Sequence, residues 1–154
     1  ADQTQENYTS GIRVKGNPEL HIYKNGGSSP DRIQNRDSVA EGDQLQLGYL
    51  PSSARYGAII SIDGNGVVTL HYPETETESP LLDRGDGEVL LPYSYRLDNA
   101  PNFEQFIFVT ANHSFSVTTV LDSAWELADS GHAPGTLDLP EHYSQTTITL
   151  VKED

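Results

Sequence analysis

Acidic side chains and glycines recur together at two places in the chain, a combination that can bind calcium. The first place begins at Asp63, with Asn65 and Glu74 at the third and twelfth positions of an EF-hand-type loop. Its fifth and sixth positions are Val67 and Val68, where such a loop needs an oxygen ligand and then glycine. The segment therefore favours a type I′ hairpin turn that leads into an exposed acidic loop.

The second place is a glycine-rich run that holds Asp83, Asp86 and Glu88. Closely spaced carboxylates of this kind can bind calcium through flexible oxygen ligation, but solvated turn residues have the same composition. Arg84-Gly85-Asp86 also matches an integrin-binding tripeptide, a match too short to be specific. We therefore predict no catalytic, cofactor-binding or metal-binding residue, and whether the Asp83-Asp86-Glu88 loop binds a cation stays open.

Histidines and serines show no spacing typical of catalysis. No pair of histidines has the spacing of a zinc helix, and no GxSxG motif activates a serine such as Ser114 or Ser130. His21 and His71 fall within predicted strands, where an outward position is expected. A hydrolase acting through paired carboxylates remains an alternative, because the separation of two carboxylates depends on the tertiary structure. The five histidines are His21, His71, His113, His132 and His142.

Aromatic side chains allow a second binding chemistry. Tyr93 and Tyr95 share a strand face and Tyr72 ends another strand, so together they can form a platform on which a sugar ring stacks. Half-buried sheet aromatics have the same pattern. Trp125, the single tryptophan, is expected to anchor a helix to the sheet.

The charge balance excludes some partners. The chain has 9 basic and 23 acidic residues and a net charge of −14, which cannot neutralise the phosphates of a nucleic acid. The same charge disfavours anionic membranes. No cysteine is present, so disulfides and thiolate chemistry are excluded. Methionine is absent too, which predicts a processed or excised chain, and no apolar run reaches the ~20 residues of a membrane span.

Short segments with alternating apolar and polar residues predict strands along most of the chain. Residues 1–11 are polar and predict a flexible arm or linker, whereas 12–154 predict a single domain. The segment 56–63 is almost continuously apolar, so we expect burial on both faces or a central place in its sheet. Two hairpins are predicted, one joining 56–63 to 67–72 and one joining 88–97 to 103–112. The predicted strands are 20–24, 43–50, 56–63, 67–72, 88–97, 103–112 and 145–151.

One helix interrupts the strands, over about residues 120–130. Thr119 and Asp122 have the spacing of an N-cap and its capping-box partner, and Gly131 and Pro134 supply stop signals. The fold class predicted is mainly β: a two-layer, mainly antiparallel β-sandwich of seven to nine strands with one short helix at an edge or end. A small barrel is the rival architecture.

Across about residues 12–130, the order of motifs resembles an uncharacterised bacterial domain family. The family pattern runs from a G-D-x-L strand through D-G-x-G-x-V-T, a proline and an L-P segment to D-x-A-P-G-x-E and an F-F-V strand. Asn102 stands where the pattern has glycine, which puts only the local turn in doubt. The matching residues are Gly42-Asp43, Asp63-Gly64, Gly66, Pro73, Leu91-Pro92, Asp98, Ala100-Pro101, Glu104 and Phe108-Val109.

This resemblance implies an extracytoplasmic part of a single-pass bacterial envelope protein, some of which are described as anti-sigma-factor-like. It implies no catalytic residues. The expected function is a non-catalytic interaction or sensory module in the periplasm or cell envelope, with another envelope protein or subunit as partner and no nucleic acid. Contact with a membrane is expected only through a segment outside this chain. A carbohydrate- or calcium-binding β-sandwich module is the alternative.

Overall fold

The fold is mainly β, with two stacked sheets and one helix, as predicted. A computed structural model describes residues 17–75, 77–82 and 87–153. The predicted arm 1–11 and two of the three carboxylates in the 83–88 loop lie outside these ranges. Among the described residues, no helix combines the length and hydropathy of a membrane span.

Four strands form one sheet, in the order β2-β1-β4-β7, and five form the other, in the order β3-β9-β8-β5-β6. All neighbours pair antiparallel except β3 and β9, which are parallel. The sequence analysis missed β2 and β3, because three residues are too few to show alternation. The elements are β1 Glu19–Asn25, β2 Asp31–Ile33, β3 Ser38–Ala40, β4 Gln44–Leu50, β5 Tyr56–Asp63, β6 Val68–Tyr72, β7 Val89–Arg96, β8 Phe103–Ala111, α1 Val117–Asp129 and β9 Ser144–Glu153.

The two central strands of the five-stranded sheet, β5 and β8, are buried on both faces. Ile59, Phe106 and Phe108 face the four-stranded sheet, while their neighbours Ile60 and Ile107 face the helix. The prediction for 56–63 is therefore confirmed: β5 is almost continuously apolar because both of its faces are covered. Each such side chain contributes about 1.5–3 kcal/mol when fully buried.

Helix α1 begins three residues before the predicted start and packs on the face of the sheet over β5 and β6. The predicted cap is wrong: Ser116 is the N-cap, and its side chain makes no capping hydrogen bond. Instead, the backbone N–H of Val117 donates to the carbonyl of Thr77 at 3.0 Å. A tertiary contact thus satisfies a helix-end donor that the sequence assigns to a side chain.

Trp125 does not anchor the helix, because its side chain is 44% exposed. The residues that anchor α1 are buried and include Val120, Leu121 and Ala124. The largest apolar side chain of the helix therefore faces outward.

The turn between β5 and β6 is a three-residue turn and not the predicted type I′ turn. Of its residues Gly64, Asn65 and Gly66, only Gly66 has a positive φ, of 79°. Gly66 N donates to the carbonyl of Asp63 at 2.9 Å, the pattern of a type I turn closed by a left-handed glycine. Gly64 is required for another reason: a Cβ atom there would lie 1.6 Å from the carbonyl oxygen of Pro101.

The predicted hairpin of 88–97 with 103–112 is wrong, because its strands lie in different sheets. β7 pairs with β4, whereas β8 pairs with β5 and β9. The connection between them crosses from one sheet to the other. Asn102, within it, has φ of 75°, a conformation that asparagine tolerates better than most residues.

Candidate cation site at one end of the sandwich

Three carboxylates meet where the β7–β8 connection crosses between the sheets. Asp63 ends β5 and pairs directly with Glu104 of β8 in the sheet register. Asp98 comes from the connection, and one oxygen of each side chain lies within 4.8 Å of the others. Two oxygens bound to one Ca²⁺ at 2.3–2.6 Å lie at most about 5 Å apart, so this spacing suits a shared calcium ion.

Each aspartate is held in place by its own turn. Asp63 Oδ1 accepts hydrogen bonds from the backbone N–H groups of Asn65 and Val67, at 2.9 and 3.0 Å. Asp98 Oδ1 accepts one from the N–H of Ala100 at 2.9 Å. These turns hold one oxygen of each aspartate, with Asp63 buried and Asp98 exposed.

Glu104 has no such partner. Its side chain is fully buried, and in the part of the chain that the structure describes neither carboxylate oxygen receives a hydrogen bond. Burial, and then the charge of Asp63, raise the pKa of Glu104 to about 7, although the charge of Lys152 opposes the rise. A buried carboxylate without donors is costly unless a proton or a cation compensates it.

Lys152 compensates only part of this charge. Its Nζ lies 3.8 Å from Glu104 Oε1, too far for a hydrogen bond. It donates to the carbonyl oxygens of Asp98 and Ala100 at 2.9 and 2.6 Å. Three carboxylates thus face one ammonium group, which leaves two negative charges when all three are ionised.

A second group of polar side chains lies next to the cluster between the sheets. His71 Nε2 is 2.8 Å from Ser61 Oγ, and the His71 ring packs edge-on against Tyr95 with centroids 4.5 Å apart. Burial lowers the pKa of His71 to about 4, so the imidazole is neutral at physiological pH. Tyr93 donates to the carbonyl of His71. Both tyrosines pack half-buried against the core, which agrees with the half-buried sheet aromatics considered beside a sugar platform.

The buried positions of these groups decide what chemistry they can do. The carboxylates are close enough to act as a glycosidase pair, but Asp63 and Glu104 are 4% and 0% exposed. Ser61 and His71 resemble a nucleophile and its base, and they are 1% and 4% exposed. Of these groups only Asp98 is exposed, and the spacing of the three carboxylates suits a single ion.

Glu88, the described member of the 83–88 loop, is engaged elsewhere. Its Oε2 accepts hydrogen bonds from Tyr23 Oη at 2.5 Å and from His21 Nδ1. Burial opposes the change, but these two hydrogen bonds lower the pKa of Glu88 on balance. One oxygen of Glu88 is therefore hydrogen-bonded to two side chains of β1.

The outward position expected for two histidines holds for His21 and fails for His71. His21 faces outward from β1, yet it is buried, with Glu19 2.8 Å from its Nε2. His71 faces the interior, so its predicted outward position is wrong. The rings of His113 and His142, distant in sequence, lie 4.6 Å apart at their centroids.

In the sequence, Asp63 stands out as the first position of an EF-hand-type loop. That pattern does not point to the residues that surround Asp63 in the structure. Asp98 and Glu104 were noticed only as positions of the family pattern, and Lys152 not at all. The available signal was a charged residue at an inward position of β8 and of β9, where Glu104 and Lys152 break the apolar alternation.

Comparison of the chain with protein-family profiles, with curated proteins and with solved structures yields no match.

Proposed function

We propose that this domain is a non-catalytic β-sandwich module that binds one calcium ion through Asp63, Asp98 and Glu104. The observation that carries the proposal is Glu104, a fully buried carboxylate whose two oxygens receive no hydrogen bond within the described residues and which faces two further carboxylates. A divalent cation supplies the two charges that Lys152 leaves unbalanced.

Calcium suits the site better than a transition metal. The three side-chain ligands are all oxygens, which hard cations prefer, and no histidine or cysteine belongs to the described cluster. Backbone carbonyls and water complete calcium coordination in many sites. Three carboxylates give modest affinity, typical of modules exposed to about 10⁻⁴–10⁻³ M calcium outside cells. An extracytoplasmic location is therefore part of the proposal.

The test is calorimetric titration of the metal-free protein with CaCl₂ at neutral to mildly alkaline pH. We expect one calcium per chain, and a loss of binding of at least tenfold in Glu104→Gln and in Asp98→Asn. Both substitutions keep the shape of the side chain, and Asp98→Asn keeps the oxygen that accepts from Ala100. The control is Glu141→Gln, which removes one exposed carboxylate away from the cluster.

Two results would contradict the proposal. The first is the absence of heat and of any thermal shift at millimolar calcium, because a ligand that binds only the folded state must stabilise it. The second is calcium binding that Glu104→Gln leaves unchanged. MgCl₂ serves as a comparison, since Mg²⁺ demands shorter, octahedral coordination and is expected to bind more weakly here.

A second candidate function, an interaction module for a basic partner, has its own observation. Trp125 is exposed on α1 beside Asp122, Glu126 and Asp129, also exposed, and α1 contains no basic residue. Tryptophan is enriched at the energetic centres of interfaces, and its ring binds Arg and Lys side chains. We propose an arginine- or lysine-bearing segment of another envelope protein as the occupant, consistent with a sensory or anti-sigma-like role.

This second candidate is tested with a short arginine-containing peptide and its glutamate-containing counterpart, by fluorescence of Trp125. The candidate is supported if only the basic peptide quenches the fluorescence and if added salt weakens the quenching. Neutralising Asp122, Glu126 and Asp129 should abolish it. Equal responses to both peptides refute it. Calcium binding is measured separately, so each candidate can fail without the other.

A further inference from the structure

A groove of about 430 Å³ lies on the outer face of the five-stranded sheet, beyond the area that α1 covers. One wall is β9 and the other is the segment 134–136, while the turn before β3 closes one end. None of the described residues that line it is acidic, although 23 of the 154 residues in the chain are. The groups available to a ligand are the guanidinium of Arg36, the amide of Asn35 and the hydroxyls of Thr136, Thr147 and Thr149.

The backbone at Arg36 has a conformation that is unfavourable for arginine. Arg36 is the second central residue of the turn from Gln34 to Asp37, which is closed by a hydrogen bond of 3.0 Å from Asp37 N to the carbonyl of Gln34. Its φ is 75°, in the region where glycine or asparagine is usual at this turn position. An arginine there costs stability that a glycine would not, and such local violations concentrate at functional sites.

The turn is fixed firmly to the sheet. Arg36 N donates to the carbonyl of Thr149 at 2.7 Å, and Thr149 N donates to Asn35 Oδ1 at 2.8 Å. Nothing in the described chain forms a hydrogen bond or ion pair with the guanidinium of Arg36, whereas Arg32 and Lys24 each have a carboxylate within 4.0 Å. The guanidinium is therefore available to an external anion, on a backbone turn that hydrogen bonds hold to the sheet.

The opposite wall is rigid as well. Gln105 is buried and uses both ends of its amide on Gly135, donating to its carbonyl at 2.6 Å and accepting from its N–H at 3.1 Å. Gln145 holds Leu137 in the same way, at 2.9 and 3.0 Å. A groove whose two walls are fixed before a ligand arrives loses little entropy on binding.

We propose that this groove binds a carboxylated sugar, with the carboxylate on Arg36 and the sugar hydroxyls on the threonine side chains. A guanidinium pairs with a carboxylate through two parallel hydrogen bonds, and neutral hydroxyl and amide groups match sugar hydroxyls. The net charge of −14 repels a doubly charged phosphate more strongly than a single carboxylate. This site is separate from the calcium site and does not depend on it.

The experiment is an NMR titration of the ¹⁵N-labelled, metal-free chain with galacturonic acid, a sugar that carries one carboxylate. We expect chemical-shift changes at Thr147, Thr149 and Gly135 that saturate in the millimolar range. The methyl ester of galacturonic acid, which has nearly the same shape without the charge, should bind at least tenfold more weakly. Galactose 6-phosphate distinguishes a sugar carboxylate from a phosphate, and its binding as tightly as the uronate would overturn the assignment.

The decisive variant is Arg36→Gly, which removes the guanidinium and relieves the strained turn. We expect the melting temperature to stay the same or rise while binding falls at least tenfold, so a loss of binding cannot reflect unfolding. Arg55→Ala removes the same charge away from the groove and should bind like the wild type. Binding that survives Arg36→Gly, or no shift changes in the wild type, would refute the proposal.

Discussion

Lys152 lies 3.8 Å from Glu104 and gives its hydrogen bonds to the carbonyls of Asp98 and Ala100 instead. The lysine thereby fastens the crossing connection to β9, while the Glu104 carboxylate receives no hydrogen bond from any residue that the structure describes. The ammonium group of Lys152 closes this end of the sandwich. The negative charge that it leaves unbalanced makes the site suited to a cation.

Glu104→Gln is expected to make the metal-free protein more stable at alkaline pH. The pKa of Glu104 is raised from 4.5 to about 7, so between these values the folded state keeps a proton that the unfolded chain has lost. The free energy of unfolding of the wild type therefore falls as pH rises through this window. Glutamine abolishes the fall, with a gain of up to about 3 kcal/mol at about pH 8. Urea unfolding in the presence of a chelator measures the free energy of unfolding of both proteins. A variant less stable than the wild type at that pH would contradict the expectation.

His71→Gln is expected to remove a loss of stability at acid pH. The pKa of His71 is lowered from 6.5 to about 4, so between these values the unfolded chain binds a proton that the folded state excludes. The free energy of unfolding of the wild type therefore falls as pH drops through this range. Urea unfolding of His71→Gln and of its parent, both in the Glu104→Gln background, measures this pH dependence without the opposite pH dependence that Glu104 causes. Exposed His132→Gln is the control and should keep the slope.

Gly64→Ala is expected to destabilise the protein by about 3 kcal/mol or more. Its Cβ would lie 1.6 Å from the carbonyl oxygen of Pro101, so the turn or the crossing connection must move. Gly26→Ala is the matched control, because no atom outside its chain neighbours lies within 4 Å of a Cβ there. Thermal unfolding of both variants checks the difference, and equal melting temperatures would count against the close approach.

Trp125→Ala is expected to cost less than about 1 kcal/mol, because the side chain is 44% exposed. Leu121→Ala, one turn away on the buried side of α1, should cost about 2–4 kcal/mol. Denaturant unfolding by circular dichroism compares the two, and quenching of the tryptophan fluorescence by acrylamide reports its exposure directly. A blue-shifted, unquenched emission would show that the tryptophan is covered.

Seven of the nine strands and the mainly β class follow from alternation along the chain. Alternation is a property of a single strand, because successive side chains point to opposite faces wherever the strand lies. The almost continuous apolar run of β5 also indicates that both faces are covered, since the residues that point to each face are apolar.

Strand order carries no such local signal. The segments 88–97 and 103–112 have the spacing of a hairpin, yet they join different sheets, because pairing depends on which edges are available after the whole chain has folded. The same applies to α1, whose first N–H is satisfied by the distant carbonyl of Thr77.

The acidic turn at Asp63 and the alternation of β8 and β9 are readable from the residues alone. That Asp63 faces Glu104, that Asp98 reaches both, and that Lys152 closes the cluster are results of sheet register and of a connection that crosses between layers. These contacts join residues far apart in sequence, and the charges become costly only after the sheets have excluded water from around them.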